Sequence, residues 1–337
     1  MINHPAQLSR QTQTSFQPLD IHLICRATQV ITGRMNLLGC PQKDDERQRD
    51  APFTNVTSAA LVQCIEAAAA INITRQTEAC QILFPKADIS THQIGGGTVA
   101  VTLPELGFKL NIVVGLGMAT PANEDDLQTI ERVYSRIGLP TLIGICPYVD
   151  QVTLRALSAR NYKVLAFVNA YVRSLDDINP NDTLEAELSK AHKESGVMIK
   201  HAQPGEHGIF MRCSVEGFRG NGRPEKVLST LALIAMRRED TLLYLVMAGD
   251  EVAGSGAMAV IETPHGKVGY FYLGSTLPNY RNRGLHQALD KERLLDARKR
   301  GCVLAIVETR VGNASGRNAE RLGFRVAYNK TYFKRDL

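Results

Sequence analysis

Residues 281–286 read Arg-Asn-Arg-Gly-Leu-His, at the point where a strand-like run gives way to a helix-like one. A helix N-terminus presents unpaired backbone N–H groups and roughly half a positive charge, so it can hold an anion. Glycine lets a ligand approach the backbone closely, and arginine adds charge-assisted hydrogen bonds. Arg281, Asn282, Arg283, Gly284, Leu285 and His286 therefore suit a diphosphate. A solvated basic turn is the other reading of the same six residues.

The elements that must position this junction alternate as strand and helix. "TLLYLVMAGDEVAGSGAMAVI" (241–261) reads as two strands joined at Gly249-Asp250, a strong hairpin signal, and 267–277 as a third strand. Residues 284–299 form a helix with Leu285, Ala288, Leu289 and Leu295 on one face. "CVLAIVETR" (302–310) is a continuous apolar run, as in a buried parallel strand, and a helix at 314–322 and a last strand, "RVAYNKTYF", follow. The first half repeats the punctuation: strand 109–118, helix 122–138, strand 140–147, helix 150–160, strand 162–172. Gly301 to Gly323 spans 22 residues and Gly138 to Asn161 spans 23, and Asn161-Tyr162-Lys163-Val164 aligns with Gly323-Phe324-Arg325-Val326. This is the pattern of an internal duplication. Residues 58–72 carry a helical pattern, and the polar, Pro180-containing stretch 174–190 reads as the linker.

The totals narrow the class. In 337 residues, 44% hydrophobic and 22% charged, there is material for two ordinary domains. No run of about 18 apolar residues suggests a membrane span, and the polar first twenty residues read as a loose tail rather than a secretory signal. Seven scattered cysteines form no CxxC or Cys/His cluster, which points to reduced thiols, a cytoplasmic protein and no metal. Lys and Arg are spread out and the net charge is only +5, which argues against a nucleic-acid partner.

In this context, strand, "LPNYRNRG", helix, "GC", buried strand, "NASGRNAERLGF", strand resembles the Gcn5-related N-acetyltransferase (GNAT) superfamily. Arg281 and Gly284 match its R/Q-x-x-G-x-G/A acyl-CoA loop; His286 departs from it, where the family usually has Gly or Ala. "ERLGF" (320–324) matches the end of a later motif. The resemblance covers about 240–335 well and 95–173 weakly. It implies an α/β fold with a mixed α+β sheet, made of two GNAT-like acyl-CoA N-acyltransferase domains in tandem. The expected layout is a tail at 1–19, a degenerate GNAT-like domain at 20–175, a linker at 176–190 and an acetyltransferase domain at 191–337. The first half lacks Arg-x-x-Gly, and its helix begins Asn123-Glu124-Asp125-Asp126, whose carboxylates would repel a pyrophosphate.

The resemblance further implies acetyl-CoA as co-substrate, with pantetheine wedged between strands 267–277 and 302–310. Backbone groups of Ser275, Thr276 and Leu277 would face the thioester, with Asn313 and Arg317 also near the cofactor. Many relatives place a tyrosine acid where this chain has Ala319. Ser315 and Asn313 are the polar groups nearby, as proton donors or as helix caps. Glu308 stands as general base or as an ion-pair partner; Tyr270 and Tyr272 share a strand face and read as core. The expected reaction transfers acetyl from acetyl-CoA to a primary amine, of a small molecule in the simplest case. A non-catalytic CoA-binding module and an aminoacyl-tRNA-dependent transferase of the same fold are the alternatives. Oligomeric state is left open, since a duplication can stand in for a dimer.

Overall fold

The computed structural model describes residues 58–175, 186, 190, 193 and 196–337 except Asn221. The tail expected at 1–19, the reading of 20–57 and most of the linker expected at 176–190 lie outside the described residues. The first helix, α1 (Ala59–Leu83), starts at Ser58, whose hydroxyl accepts the Leu61 N–H at 3.2 Å. It runs well past residue 72, because buried Glu66, Asn72 and Thr77 interrupt the apolar pattern from which its end was read.

Strands β1 (Ser90–Ile94) and β2 (Gly97–Val101) form a hairpin, followed by β3 (Val113–Val114). The strand expected over 109–118 is thus only two residues long. Asn111 takes its place in a turn: its Oδ1 accepts the Thr102 N–H at 2.7 Å and its Nδ2 donates to the Leu103 and Gly107 carbonyls. Next come α2 (Glu124–Arg136), β4 (Thr141–Ile145), α3 (Gln151–Ala159) and β5 (Lys163–Ser174). The second half opens with β6 (Val197–His201), α4 (His207–Phe218) and α5 (Glu225–Arg237). The hairpin at Gly249-Asp250 joins β7 (Thr241–Ala248) to β8 (Glu251–Thr263), and β9 (Gly266–Thr276) follows. The chain ends with α6 (Leu285–Lys299), β10 (Leu304–Arg310), α7 (Ala314–Arg321) and β11 (Arg325–Arg335).

All eleven described strands join one sheet in the order β1-β2-β3-β4-β11-β5-β10-β9-β8-β7-β6. Two pairs in it are parallel, β3 with β4 and β9 with β10, one in each half. The last strand of each half lies beside the other half's parallel pair. β11 pairs antiparallel with β4 (Phe333↔Ile143), and β5 pairs antiparallel with β10 (Val307↔Tyr171). β5 and β11 pair with each other in the middle. The duplicated units therefore complete one another's sheets instead of closing their own.

Lys330 pins this exchange. It lies on β11, fully buried, and its ammonium donates to Glu308 of β10 at 2.8 Å and meets Glu66 of α1 at 3.0 Å. Tyr328, two residues earlier, donates its hydroxyl to Glu66. Burial alone would lower the Lys330 pKa, but the two carboxylates outweigh it and hold the lysine well above its ordinary value. Lys330→Met leaves both carboxylates without their cation, and removing one partner of a buried ion pair costs about 3–5 kcal/mol. Urea denaturation should show that loss; a change below about 1 kcal/mol would mean the lysine does not hold the exchanged strand.

Candidate active site

Strands β9 and β10 are hydrogen-bonded only where Val268–Phe271 faces Leu304–Val307. Beyond Phe271 and Val307 they part, although β9 continues to Thr276 and β10 to Arg310. A bulge lies at the parting: Ser275 pairs with Ser255 and Tyr272 with Ala257, so Leu273 and Gly274 together oppose Gly256. Leu273 has φ +49, a left-handed conformation costly for a branched residue and held here by its surroundings. The Leu277 N–H donates to the Ala253 carbonyl at 2.9 Å, on the β8 side. Backbone groups alternate along a strand, so those of Thr276 point to the edge that β10 has left. The Arg281 Nε–H donates to the Thr276 carbonyl there at 3.3 Å.

The parted strands open into a cleft of about 720 Å³. Successive residues on β9 and β10 line opposite faces of it. Phe271 and Ala305 pack in the cluster that holds Leu285, Leu289 and Ala319, on the side of α6 and α7. Tyr270 and Ile306 pack with Leu61 and Ile65 of α1, on the other side. Glu308 shares that second side, since its partners are Lys330 and Glu66.

Gly284 (φ +76) is the N-cap of α6, with no side chain capping the helix, no acid in its first turn and open space where a Cβ would stand. The first N–H groups of α6 are thus left to a ligand or solvent. The counterpart helix α2 differs at each point. Asn123 and Asp126 form a capping box, both bonds at 3.0 Å, and Glu124, Asp125 and Asp126 fill the first turn. After β3, Thr153 of α3 packs closely on the chain: a Cβ on Gly117 would come within 2.6 Å of its hydroxyl, which itself accepts the Ala122 N–H.

Of the residues singled out from sequence, His286, Glu308, Asn313 and Ser315 line the cleft, as do Tyr270, Tyr272 and Ala319. Asn313 is spent as the cap of α7: its Oδ1 accepts the Gly316 N–H at 2.8 Å and the Thr309 hydroxyl at 2.5 Å, which removes it as a proton carrier. Arg281 braces the loop, donating also to the Gly217 carbonyl of α4 at 3.0 Å. Arg283 lies over the Tyr280 ring, Asn282 takes φ +63 at the turn, and Leu285 is buried in the core. Ser275 is buried against Ser255, its hydroxyl 3.1 Å from that serine's. Exposed Arg317 donates to its own loop at Gly312, and Leu277 lines a separate cavity between α4 and α5. Tyr270 is buried core, and the Tyr272 hydroxyl meets Thr241 at 2.7 Å.

A buried network under the bulge has no signature in the sequence. Arg293 of α6 donates to the Ala257 and Tyr272 carbonyls at 3.1 and 3.3 Å, to Asp290 at 2.5 Å, and lies over the Phe271 ring. Asp290 reaches His286 at 3.5 Å. An arginine and an aspartate inside a helix read as a solvated face, and only the fold turns them inward.

Compared with solved structures, the chain matches a GCN5-related N-acetyltransferase from Kribbella flavida with a TM-score of 0.54 at 13% identity, over 78% of this chain and 95% of that one. A tandem GNAT protein from the clavulanic acid biosynthesis pathway matches with a TM-score of 0.50 at 10% identity, over 82% and 94%. A conserved protein of unknown function from Staphylococcus epidermidis matches with 0.51 at 10%, over 75% and 97%. The fold is that of the tandem GNAT proteins. No family model matches the sequence, nor does any curated protein. At these identities the likeness establishes the GNAT fold and not the reaction. No described helix is long and apolar enough to cross a membrane.

In this cleft the His286 pKa is lowered, first by burial and then by Arg293, with Asp290 acting the other way. Between that lowered value and the ordinary one near 6.5 the unfolded chain binds more protons than the folded one, so stability is lost as pH falls through this window. Acidification from about pH 7.5 to about pH 5.5 should lower the Tm less in His286→Asn than in the parent. Equal drops would mean that His286 titrates as an ordinary histidine.

Proposed function

We propose that this protein is an acyl-CoA-dependent N-acyltransferase that moves acetyl from acetyl-CoA to a primary amine. The observation that carries the reading is the parted β9–β10 pair with an uncapped, acid-free helix N-terminus beside it, in one half and not in the other. The residues present fit the co-substrate: the α6 N–H groups after Gly284 would hold its pyrophosphate, and the parted edges would receive its pantetheine arm. The bound thioester supplies the activated acetyl group. Thr276 turns its backbone toward the vacated edge, where a developing oxyanion needs donors. Glu308 faces the cleft with its side chain 17% exposed and would take the proton released by the attacking amine. Its lysine is shared with Glu66, so the trio keeps one negative charge in excess. Ser315 would return a proton to the leaving thiolate through water. Atoms balance as amine plus thioester giving amide plus thiol.

The small side chain at Ala319, where many relatives place a tyrosine acid, favours a second reading, a CoA-binding module without turnover. Thermal shift with acetyl-CoA, CoA and NADH, followed by an amine screen, separates the two. Saturating acetyl-CoA should raise the Tm, by about 2.7 kcal/mol of stabilisation at a hundredfold excess over Kd, and Gly284→Glu should abolish the shift while remaining folded. No shift in the folded parent defeats both readings, and a shift without turnover leaves the second. In Glu308→Gln the shift should persist while kcat falls about 10²–10⁴-fold, the range general-base catalysis contributes. An unchanged kcat would remove Glu308 from the mechanism.

A further inference from the structure

The cleft has two kinds of wall. On the side of α6 and α7 it is polar, with His286, Asp290, Arg293, Asn313 and Ser315. On the side of α1 it is apolar: Ile73, Leu106, Leu110, Leu142, Val227 and Leu231 line it, all buried and packed in one cluster. They come from α1, the 3-10 turn at Pro104–Lys109 and the residue after it, β4 and α5. Phe108 and Leu165 line the cleft too, but they are 40% and 48% exposed, which puts them at its mouth. Glu308 shares the α1 side and lines the cleft where β10 leaves β9. An apolar lobe therefore runs from the carboxylate to solvent.

The polar side chains of this lobe are paired within the protein or reach water. Asn72 accepts from Arg238 at 2.8 Å, Gln76 donates to the Asn72 carbonyl at 3.4 Å, and Glu105 meets Lys226 at 2.9 Å. Lys109 and Arg310 are exposed, and Arg223 is half-buried ahead of α5. A ligand that carried hydroxyls or charges into the lobe would lose water and gain few partners. Leu273 points the same way. Its φ of +49 would suit a glycine, and a glycine stands beside it at 274, yet the bulge holds a leucine there. The side chain packs on the cluster of Val227 and Leu231. The strained position thus sets an apolar group where the lobe meets the parted strands.

We propose that the acceptor is an apolar amine, an aryl- or alkylamine, whose nitrogen meets Glu308 and whose hydrocarbon body lies in this lobe. Removal of that body from water supplies the binding energy, and the single polar end fixes its orientation. The exposed cations at the rim have nothing for a second ammonium, which sets this acceptor apart from a polyamine. The inference deepens the acyltransferase reading and rests on it.

The test uses the full chain with acetyl-CoA and the amines n-propylamine, n-hexylamine and 2-phenylethylamine, against ethanolamine, glucosamine and spermidine. From propyl to hexyl, kcat/KM should rise about fourfold per methylene, the gain from burying each one. The value for 2-phenylethylamine should exceed those of the polar amines by about 10²-fold. In Phe108→Ala and Leu165→Ser, KM for 2-phenylethylamine should rise about fivefold or more, while KM for acetyl-CoA stays within about twofold. The Tm of both variants should hold, because substitutions of exposed side chains cost little stability. A flat series from propyl to hexyl overturns the inference, as does a preference for the polar amines or an unchanged KM in both variants. A preference for hexanoyl-CoA over acetyl-CoA with no effect of amine length would give the lobe to the acyl chain, and overturns it too. No turnover of any amine, with acetyl-CoA still shifting the Tm, also counts against it. Absence of that shift instead defeats the acyltransferase reading beneath it.

Discussion

A lysine with no access to water joins the two halves of this molecule. Lys330 carries a charge whose desolvation would be severe if it stood alone, and Glu66 and Glu308 offset that cost from opposite directions. Glu66 belongs to the first described helix, Glu308 to the strand at the mouth of the cleft, and Lys330 to the final strand. The three meet only when β11 has been inserted between β4 and β5 in its native register. A one-residue slip would turn the lysine to the other face of the sheet and leave the two carboxylates without it. The contact thus selects one pairing of the exchanged strands. It also places Glu308 where the neighbouring strands have separated.

The exchange explains how one half can be degenerate in its chemistry and still be required. The first half packs Thr153 against Gly117 and has capped its own helix with Asn123 and Asp126. What it retains is structural. β5 supplies the edge against which β10 is paired over its full length, so β10 can leave β9 after Val307 without becoming an unpaired edge. Val168 to Ser174 of β5 face Arg310 to Leu304 of β10 throughout the segment that lines the cleft. The first half also contributes Lys109 to the walls of the cleft. A duplication whose copies had stayed separate could have done neither.

What the sequence revealed and what it hid follow from the range of the interactions. Gly249-Asp250, the helix starting at Gly284 and the apolar run ending at Arg310 are local signals, and each appears in the fold within a residue or two. The strand at 109–118 failed because a tertiary role for Asn111 overrides an apolar pattern that would otherwise extend. The end of α1 was hidden by polar residues that are buried by partners more than a hundred residues away: Glu66 by Lys330, and Asn72 by Arg238, which donates to it at 2.8 Å. The lining of the cleft is hidden for the same reason, since Lys109 and Arg310 come to one cavity only through the sheet. The strand exchange leaves no trace in the duplicated pattern, because either arrangement of β5 and β11 would need the same residues.

The departure at His286 is the place where pattern and packing must be weighed together. A histidine where the family usually has glycine or alanine suggests, read along the chain, a loop that has lost its ligand. Read across the strands it has a counterpart. Gly274, on the bulge opposite, gives up its side chain where a Cβ would come within 2.9 Å of the His286 ring and of the Arg293 guanidinium. The ring occupies space that a larger residue at 274 would fill, and Asp290 links it to the arginine that holds the bulge carbonyls. An imidazole kept neutral by burial repels no phosphate and competes for no cation at the helix start. The substitution has thus been absorbed into the support of the bulge, while Gly284 and the free N–H groups beyond it are untouched. The helix start therefore keeps its capacity to bind an anion, although one of its residues breaks the pattern.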